Sequence, residues 1–320
     1  MKLGVFMALF GDQSLDDALD YVAELGLDTV EIGTGNYPGD PHCPLDELLE
    51  SDEKRAEWHE KITSRGLEIS ALSCHGNPLH PDDEFAAANH EVQRKTIRLA
   101  EKLGVGTINT FSGCPGDSET SSRPNWVTCP WPPDFLETLE WQWNEKVIPY
   151  WTEEATFAAD HGVRVAFEMH PGFVVYNTET MLRIREECGE TLGANFDPSH
   201  LFWQGMDPLV SIKQLGDAIF HVHAKDCRID PQNTAANGVL DTKHYGDELG
   251  RSWIFRTVGY GHGADFWTDF ISVLRAVGYD DVLSIEHEDS LMSPAEGFEK
   301  AVGFLQDLLL REPLGEMWWA

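Results

Sequence analysis

The feature that most restricts the fold of this chain is a short apolar run that recurs eight times along its 320 residues. Each run is followed by a polar or Gly/Pro-rich loop and then by a segment with helical periodicity, a pattern typical of parallel strands joined by crossover helices. The eight predicted strands are Lys2 to Leu9, Thr29 to Ile32, Glu68 to Ser73, Thr107 to Phe111, Arg164 to Met169, Leu192 to Phe196, Ala218 to His223 and Val282 to Glu286. Together they predict an α/β fold, a closed (β/α)₈ or TIM barrel.

The segments between the runs carry helix start and stop signals. Ser14 and Asp17 fit a capping box at the beginning of the first helix, and Gly26 ends that helix directly before the second strand. Gly104 and Gly278 stand at the same point between a helix and a strand later in the chain. Because this pattern of a helix, a glycine and a strand repeats, it supports a barrel more strongly than any single strand assignment does.

Two connections are too long for simple crossovers. Residues 113–150 are rich in Pro and Trp, and residues 226–263 carry His, Arg and Gly with little apolar periodicity. They follow the fourth and seventh predicted strands, so both are expected at the carboxyl-terminal face, where barrel enzymes have their active sites. Since long ordered loops are usually functional, we predict one domain over residues 1–320 with two inserted active-site loops.

Charge and composition limit the partners of the chain. It has 55 acidic and 23 basic residues and a formal net charge of −32, which repels nucleic acid and anionic membranes and favours cations. Such dispersed acidity also suits a halophilic cytoplasm, in which salt screens self-repulsion. The six cysteines form no CxxC pair, so neither a zinc ribbon nor a redox dithiol is indicated.

We expect a cytoplasmic protein with reduced thiols, because no apolar stretch reaches the roughly 18 residues of a membrane helix and the amino terminus does not fit a signal peptide. The paired residues Trp318 and Trp319 indicate either a docked tail or a subunit contact, and we expect a homo-oligomer.

Four consecutive predicted strands end in residue types that ligate metals. The motifs are Glu168-Met169-His170, Asp197-Pro198-Ser199-His200, His221-Val222-His223-Ala224-Lys225-Asp226 and Ile285-Glu286-His287-Glu288. Because unpaired charge is costly to bury, a bound cation would relieve the carboxylates and imidazoles at these ends. Three oxygen donors and one imidazole suit Mn²⁺, Mg²⁺ or Co²⁺ better than a structural zinc.

The alternation of side chains along a strand narrows the choice of ligand, since residues two apart share a face. The pairs that share a face are Glu168 and His170, His221 and His223, and Glu286 and Glu288. The member nearest the end of the strand core is the better ligand, which favours His223 over His221. Its partner faces either the deeper barrel or the substrate.

In order and spacing these motifs resemble those of the xylose isomerase-like TIM-barrel superfamily. This group of sugar phosphate isomerases and epimerases includes ketose 3-epimerases, inosose-processing enzymes and, more distantly, endonuclease IV. The barrel pattern covers nearly all of residues 1–311. The resemblance is specific for the superfamily and not for a substrate.

The ketose epimerase branch of that superfamily implies roles for individual residues here. Its metal is held by Glu, Asp, His and Glu, which correspond to Glu168, Asp197, His223 and Glu286, with Mn²⁺ as the first choice of ion and Mg²⁺ or Co²⁺ as alternatives. The first and last of these glutamates, Glu168 and Glu286, also serve as acid and base in that branch. His200, three residues after the aspartate, corresponds to a substrate-binding histidine.

Seven residues at or after the strand ends are candidates for substrate binding. They are Glu31, His75, His170, His200, Lys225, Asp226 and Arg256. Structural alternatives stay open: Glu31 could be a barrel-rim carboxylate and His75 a structural histidine. Lys225 and Asp226 could pair with each other, and Arg256 could form a surface salt bridge rather than clamp a phosphate or carboxylate.

The predicted function is a metal-dependent isomerase or epimerase that acts on a small polyhydroxylated carbonyl compound, a sugar or cyclitol. A metal on the substrate carbonyl would stabilise an enediolate, while two carboxylates move the α-proton. The same ligands would also serve a lyase or dehydratase on a keto-sugar or 3-keto-glycoside. An endonuclease IV-like nuclease is disfavoured by the net charge and the single ligand set, and a non-catalytic sugar-binding barrel is the remaining alternative.

Overall fold

The computed structural model describes residues 1–319, and Ala320, the last residue of the predicted domain, lies outside the described residues. The strands are β1 (Lys2–Phe6), β2 (Thr29–Gly33), β3 (Glu68–Ser73), β4 (Thr107–Thr110), β5 (Arg164–Glu168), β6 (Leu192–Phe196), β7 (Ile219–Ala224), β8 (Asp226–Ile229), β9 (Trp253–Arg256) and β10 (Val282–Ile285). Eight of them form a closed parallel barrel in the order β1-β10-β7-β6-β5-β4-β3-β2, and β8 and β9 form a separate two-stranded sheet. The predicted fold class is confirmed.

Helices surround the barrel. Their bounds are α1 (Leu15–Glu24), α2 (Leu45–Glu50), α3 (Asp52–Thr63), α4 (Asp83–Leu103), α5 (Pro133–Trp141), α6 (Ile148–Asp160), α7 (Thr178–Cys188), α8 (Pro198–Trp203), α9 (Pro208–Leu215), α10 (Pro231–Asn237), α11 (Ala264–Ala276) and α12 (Pro294–Gln306). A π-helix over Gln142–Val147 joins α5 to α6. Between residues 1 and 319, no helix is long and apolar enough to cross a membrane.

The helix start and stop signals in the sequence coincide with the ends of helices in the structure. The Ser14 side chain accepts a hydrogen bond from the Asp17 backbone N–H at the start of α1. Gly26, Gly104 and Gly278 have φ of 75°, 72° and 94°, the left-handed region in which glycine is favoured. Each glycine lets the chain leave its helix and turn directly toward the next strand.

The first strand is shorter than predicted. β1 ends at Phe6, and the chain continues as a 3₁₀-helix over Met7–Phe10. Met7 and Phe10 are both buried, because side chains three residues apart lie on one side of a 3₁₀-helix. An apolar run can therefore continue across a change of secondary structure without any change in composition.

The insertion after β7 has its own small apolar core. β8 and β9 pair antiparallel, with Asp226 opposite Arg256 and Ile229 opposite Trp253. The ring of Trp253 stacks on Trp203 of α8 at a centroid distance of 4.6 Å and an angle of 6°. The sequence predicted a loop here, and the structure instead has a hairpin that packs on the helix following β6.

The carboxyl-terminal tryptophans do not dock on the barrel. Trp318 and Trp319 are 87% and 69% exposed, so the docked-tail alternative is wrong. A subunit contact at these residues stays a prediction.

Candidate active site

Four side chains converge at the carboxyl-terminal end of the barrel. Glu168 is the last residue of β5, Asp197 directly follows β6, His223 lies in β7, and Glu286 directly follows β10. One ligand atom from each residue lies within 4.8 Å of the others. The structure thus brings together the four residues that the sequence proposed as metal ligands.

The hydrogen bonding of these carboxylates fits a cation. Asp197 Oδ1 accepts the backbone N–H of Ser199 at 2.8 Å, but Asp197 Oδ2 and Glu286 Oε2 are buried and receive no hydrogen bond from residues 1–319. Imidazole nitrogens of His200 and His223 lie 3.1 Å and 2.9 Å from these two oxygens, without the alignment of a hydrogen bond. Buried oxygens left in this state are costly, and a divalent ion would satisfy them.

The imidazoles of His200 and His75 lie next to the Glu168 carboxylate, and His170 lies beside His200. His200 Nε2 lies 2.9 Å from Glu168 Oε1 and His75 Nε2 lies 3.1 Å from Oε2. Burial opposes protonation of His200, but Asp197 more than compensates and raises its pKa to about 9. His170, whose ring centroid is 4.1 Å from that of His200, has its pKa lowered to about 3 by burial and by His200. The His170 ring is therefore neutral.

Lys225 supplies a fixed positive charge. Its Nζ lies 2.6 Å from Glu288 Oε2 and 3.3 Å from Glu286 Oε1, and 4.4 Å from the centroid of the Phe255 ring. Burial opposes the charged form, yet these carboxylates keep the pKa of Lys225 well above its ordinary value. The ammonium group therefore stays charged beside one of the proposed ligands.

A cavity of about 660 Å³ opens over this centre. Its polar lining includes Glu168, Glu286, His75, His170 and Lys225. Its apolar lining includes Phe6, Tyr37, Phe111, Tyr245 and Phe255. A mainly apolar wall with a few convergent polar groups is typical of a site for a small molecule.

Four of the seven predicted substrate residues lie outside the lining of this cavity. They are Glu31, His200, Asp226 and Arg256. Arg256 Nε donates to Asp289 Oδ2 at 3.0 Å, so the salt bridge that was the alternative for Arg256 is present, and a substrate contact of this residue stays a prediction. His200 is 1% exposed, and its imidazole contacts the proposed ligands.

Asp226, at the start of the hairpin, hydrogen-bonds the backbone of the segment that follows the hairpin, residues 259–262. Its carboxylate accepts the backbone N–H groups of Cys227, Gly259, Gly261 and His262 at 2.8 to 3.1 Å. A Cβ on Gly261 would stand 2.4 Å from Asp226 Oδ1, so glycine is required for this close approach. The alternative that Asp226 pairs with Lys225 is not seen among the described residues, because these donors occupy the Asp226 carboxylate; a substrate contact of Asp226 stays a prediction.

Sequence reasoning missed His287, which lines the cavity. Both of its ring nitrogens are buried without a hydrogen-bond partner in the described part of the chain. The ring packs on Gly297 of α12, where a Cβ would stand 2.0 Å from His287 Cε1. The position of His287 beside Glu286 was a usable signal, whereas the need for glycine at 297 appears only in the packing.

A family model described as "Xylose isomerase-like TIM barrel" matches residues 19–308. The chain belongs to this family. The resemblance inferred from the strand-end motifs is thereby confirmed.

Two curated proteins illustrate the relatives of this xylose isomerase-like barrel. An uncharacterized protein of Bacillus subtilis, YfiH, is 39% identical over 97% of this chain and 99% of its own length. The rhizopine catabolism protein MocC of Rhizobium meliloti is 34% identical over 88% of this chain and 76% of its own length.

Solved structures share the fold at lower identity. The probable 3-DHS dehydratase AsbF of Bacillus anthracis superposes with a TM-score of 0.66 at 18% identity, over 98% of this chain and 100% of AsbF. An IolI structure with a zinc atom gives 0.64 at 21% identity, over 97% and 98%. D-psicose 3-epimerase of Clostridium cellulolyticum gives 0.61 at 15% identity, over 97% and 99%.

Proposed function

We propose that this protein is a divalent-metal-dependent isomerase or epimerase of sugars or cyclitols. The proposed ligands are Glu168, Asp197, His223 and Glu286. The observation that carries the proposal is the position of the two glutamates, which line the cavity and also belong to the four-residue cluster. A pair of carboxylates that can reach both a metal and a substrate is what proton transfer beside a carbonyl requires.

A divalent ion held there would polarise a substrate carbonyl and the neighbouring hydroxyl, which makes the α-proton easier to remove. We propose Mn²⁺ first, with Mg²⁺ and Co²⁺ as alternatives, and the zinc in the IolI structure makes Zn²⁺ a useful fourth ion to test. The name of D-psicose 3-epimerase, which shares the fold, supports a sugar substrate.

Glu168 is suited to act as the base. Burial would raise its pKa, but the neighbouring imidazoles of His200, His223 and His75 hold that pKa well below the ordinary value. The carboxylate is therefore ionised and fixed in orientation, both of which favour proton abstraction. Glu286, across the cluster, would return a proton from its own side of the substrate.

Lys225 and His170 would orient the substrate. The ammonium of Lys225 donates hydrogen bonds only, whereas the neutral ring of His170 can accept or donate. Both line the cavity, so they can fix the hydroxyl groups on either side of the reacting carbon. His200 would act indirectly, through its contacts with Glu168 and Asp197.

A dehydratase is the second candidate, and Lys225 is the observation that favours it. The Lys225 Nζ lies 3.3 Å from Glu286 Oε1, and Lys225 lines the same cavity, so an ammonium group that can hydrogen-bond a leaving hydroxyl is placed beside a carboxylate. The name of AsbF, a probable dehydratase that shares the fold, supports this alternative.

Mass spectrometry in D₂O tests the two candidates together. The metal-loaded protein is incubated in D₂O with a panel of ketohexoses, keto-sugars and inososes. We expect one member of the panel to gain one carbon-bound deuterium from the solvent and to lose no fragment or water. A dehydratase would instead release water from one member of the panel. Absence of both exchange and elimination across the panel, with the metal bound, would contradict a catalytic role.

We also expect metal affinity to rise with pH. Burial opposes protonation of His223, but Glu31 and Glu286 keep its pKa well above the ordinary value. The proton on His223 must leave before the ring can ligate, so affinity falls as pH is lowered and rises toward the raised pKa. Calorimetric titration of metal-free protein with MnCl₂ should give at least about ten-fold tighter binding near pH 8.5 than near pH 6.5, and a flat profile would contradict ligation by His223.

A further inference from the structure

A further carboxylate lies next to the proposed metal centre, inside the barrel. Glu31 of β2 is completely buried, and its oxygens are surrounded by donors from other barrel strands. Asn109 Nδ2 lies 2.9 Å from Oε1, Ser284 Oγ lies 2.7 Å from Oε2, and Ser73 Oγ also donates to Oε1. His223 Nε2 lies 3.0 Å from both oxygens.

This carboxylate is close enough to His221 and His223 to suggest a second metal site, but its hydrogen bonding argues otherwise. Both carboxylate oxygens of Glu31 lie within hydrogen-bond distance of at least two groups of the protein. His221 Nδ1 already lies 3.0 Å from Asn195 Oδ1. Within residues 1–319, the buried carboxylate oxygens that receive no hydrogen bond belong to Asp197 and Glu286 instead. Glu31 is therefore satisfied by the protein itself and needs no ion.

The contact with His223 distinguishes the two nitrogens of that ring. Nε2 faces Glu31, whereas Nδ1 lies 2.9 Å from Glu286 Oε2 and 3.5 Å from Glu168 Oε2, both on proposed ligands. The Asn195 amide nitrogen is nearly equidistant from the two ring nitrogens, at 3.3 and 3.1 Å, and does not discriminate between them. The Phe6 ring stacks on His223 at 5.7 Å and 23°, which restricts rotation of the imidazole.

We infer that Glu31 is the positioning residue for His223. An ionised carboxylate only accepts hydrogen bonds, so Nε2 carries the proton and Nδ1 is left to bind the metal. Carboxylates that orient a ligating histidine in this way typically contribute 10- to 100-fold to metal affinity. The inference rests on the proposed metal centre, and it replaces the expectation that Glu31 touches substrate.

Titration with the metal alone separates this inference from the proposed function. Metal-free wild type, Glu31→Gln, Asp197→Asn and Ser73→Ala are each titrated with MnCl₂ and with ZnCl₂ in a calorimeter. We expect one site in wild type, its loss in Asp197→Asn, and about 10- to 100-fold weaker binding in Glu31→Gln. Ser73→Ala removes a donor to Glu31 but not the contact with His223, so its affinity should stay within about three-fold of wild type.

The outcomes point to different failures. Wild-type affinity in Glu31→Gln, together with loss of binding in Asp197→Asn, would overturn the positioning role and leave the metal centre intact. Absence of binding in wild type would overturn the metal centre itself. Circular dichroism and thermal melting report whether Glu31→Gln is folded.

A measurement on the wild-type protein does not depend on that variant. In zinc-loaded protein with ¹⁵N-labelled histidine, His223→Gln identifies the signals of residue 223. We expect a protonated Nε2 and a metal-shifted Nδ1 at this ring, which a merely structural glutamate would not impose. A metal-bound Nε2 would overturn the inference.

Discussion

Substitution of Glu168 by Gln lowers kcat/KM by at least about 10³-fold if the proposed mechanism is correct, since general bases commonly contribute 10²- to 10⁴-fold and this residue is also a proposed ligand. The amide keeps the size of the side chain and its contacts with His75 and His200. It can neither take up the α-proton nor carry the charge that the metal requires. Steady-state kinetics on the substrate found in the D₂O panel measures the effect.

The matched control is Glu187→Gln, on an exposed position of α7. It makes the same chemical change away from the cavity, and its kcat/KM should equal that of wild type. Retention of activity within ten-fold in Glu168→Gln, with metal still bound, would remove Glu168 from the acid–base pair. Activity would then have to depend on Glu286 and Lys225 alone.

Asp226→Ala should give the largest loss of stability that the structure indicates. The substitution leaves four backbone N–H groups without an acceptor, as well as the ring nitrogens of His262 and Trp267. Removal of one partner from a buried charged network typically costs 3 to 5 kcal/mol. We therefore expect the free energy of unfolding to fall by about 3 to 5 kcal/mol, and Tm by roughly 4 to 8 °C.

Asp230→Ala is the control within the same hairpin. Asp230 is exposed and caps α10 by accepting the backbone N–H groups of Gln232 and Asn233, a contact worth about 1 kcal/mol. Differential scanning calorimetry compares the two variants. Equal, small losses would mean that the loop around Asp226 contributes little to the stability of the fold.

The barrel and its proposed ligands were predictable because the signals are local. An apolar run followed by Glu168, Asp197 or Glu286 indicates a strand and shows that the carboxylate lies at the carboxyl-terminal end of that strand. In a closed parallel barrel these strand ends lie at the same end of the barrel, independently of the conformation of the loops. The preference for His223 over His221 came from the sequence as well, because alternation places both side chains on one face and His223 is nearer the end of the strand.

The proposed positioning role of Glu31 was not predictable from the sequence, because it depends on how deeply the Glu31 side chain lies inside the barrel. The pairing of β2 with β3 shifts register between Val30 and Glu31, and nothing in the sequence marks this irregularity. The sequence placed Glu31 at a strand end and therefore near the substrate. The structure buries it among donors from Ser73, Asn109 and Ser284.

The hydrogen bonds of Asp226 were not predictable for a related reason. Its partners Gly259 and Gly261 lie more than thirty residues further along the chain, after the hairpin has left and returned. A single sequence gives no indication that these glycine N–H groups face that carboxylate. His287 and Gly297 illustrate the same limit, because their contact joins a strand end to the following helix only through packing.

The hairpin after β7 has a consequence for how substrate preference could change during evolution. Its two ends meet, because Asp226 pairs with Arg256, and its rings Tyr245 and Phe255 form part of the cavity wall. A different sequence grafted between these ends would reshape that wall while the catalytic carboxylates stayed on their strands. One contiguous segment could therefore be exchanged among homologues to redirect specificity without rebuilding the barrel.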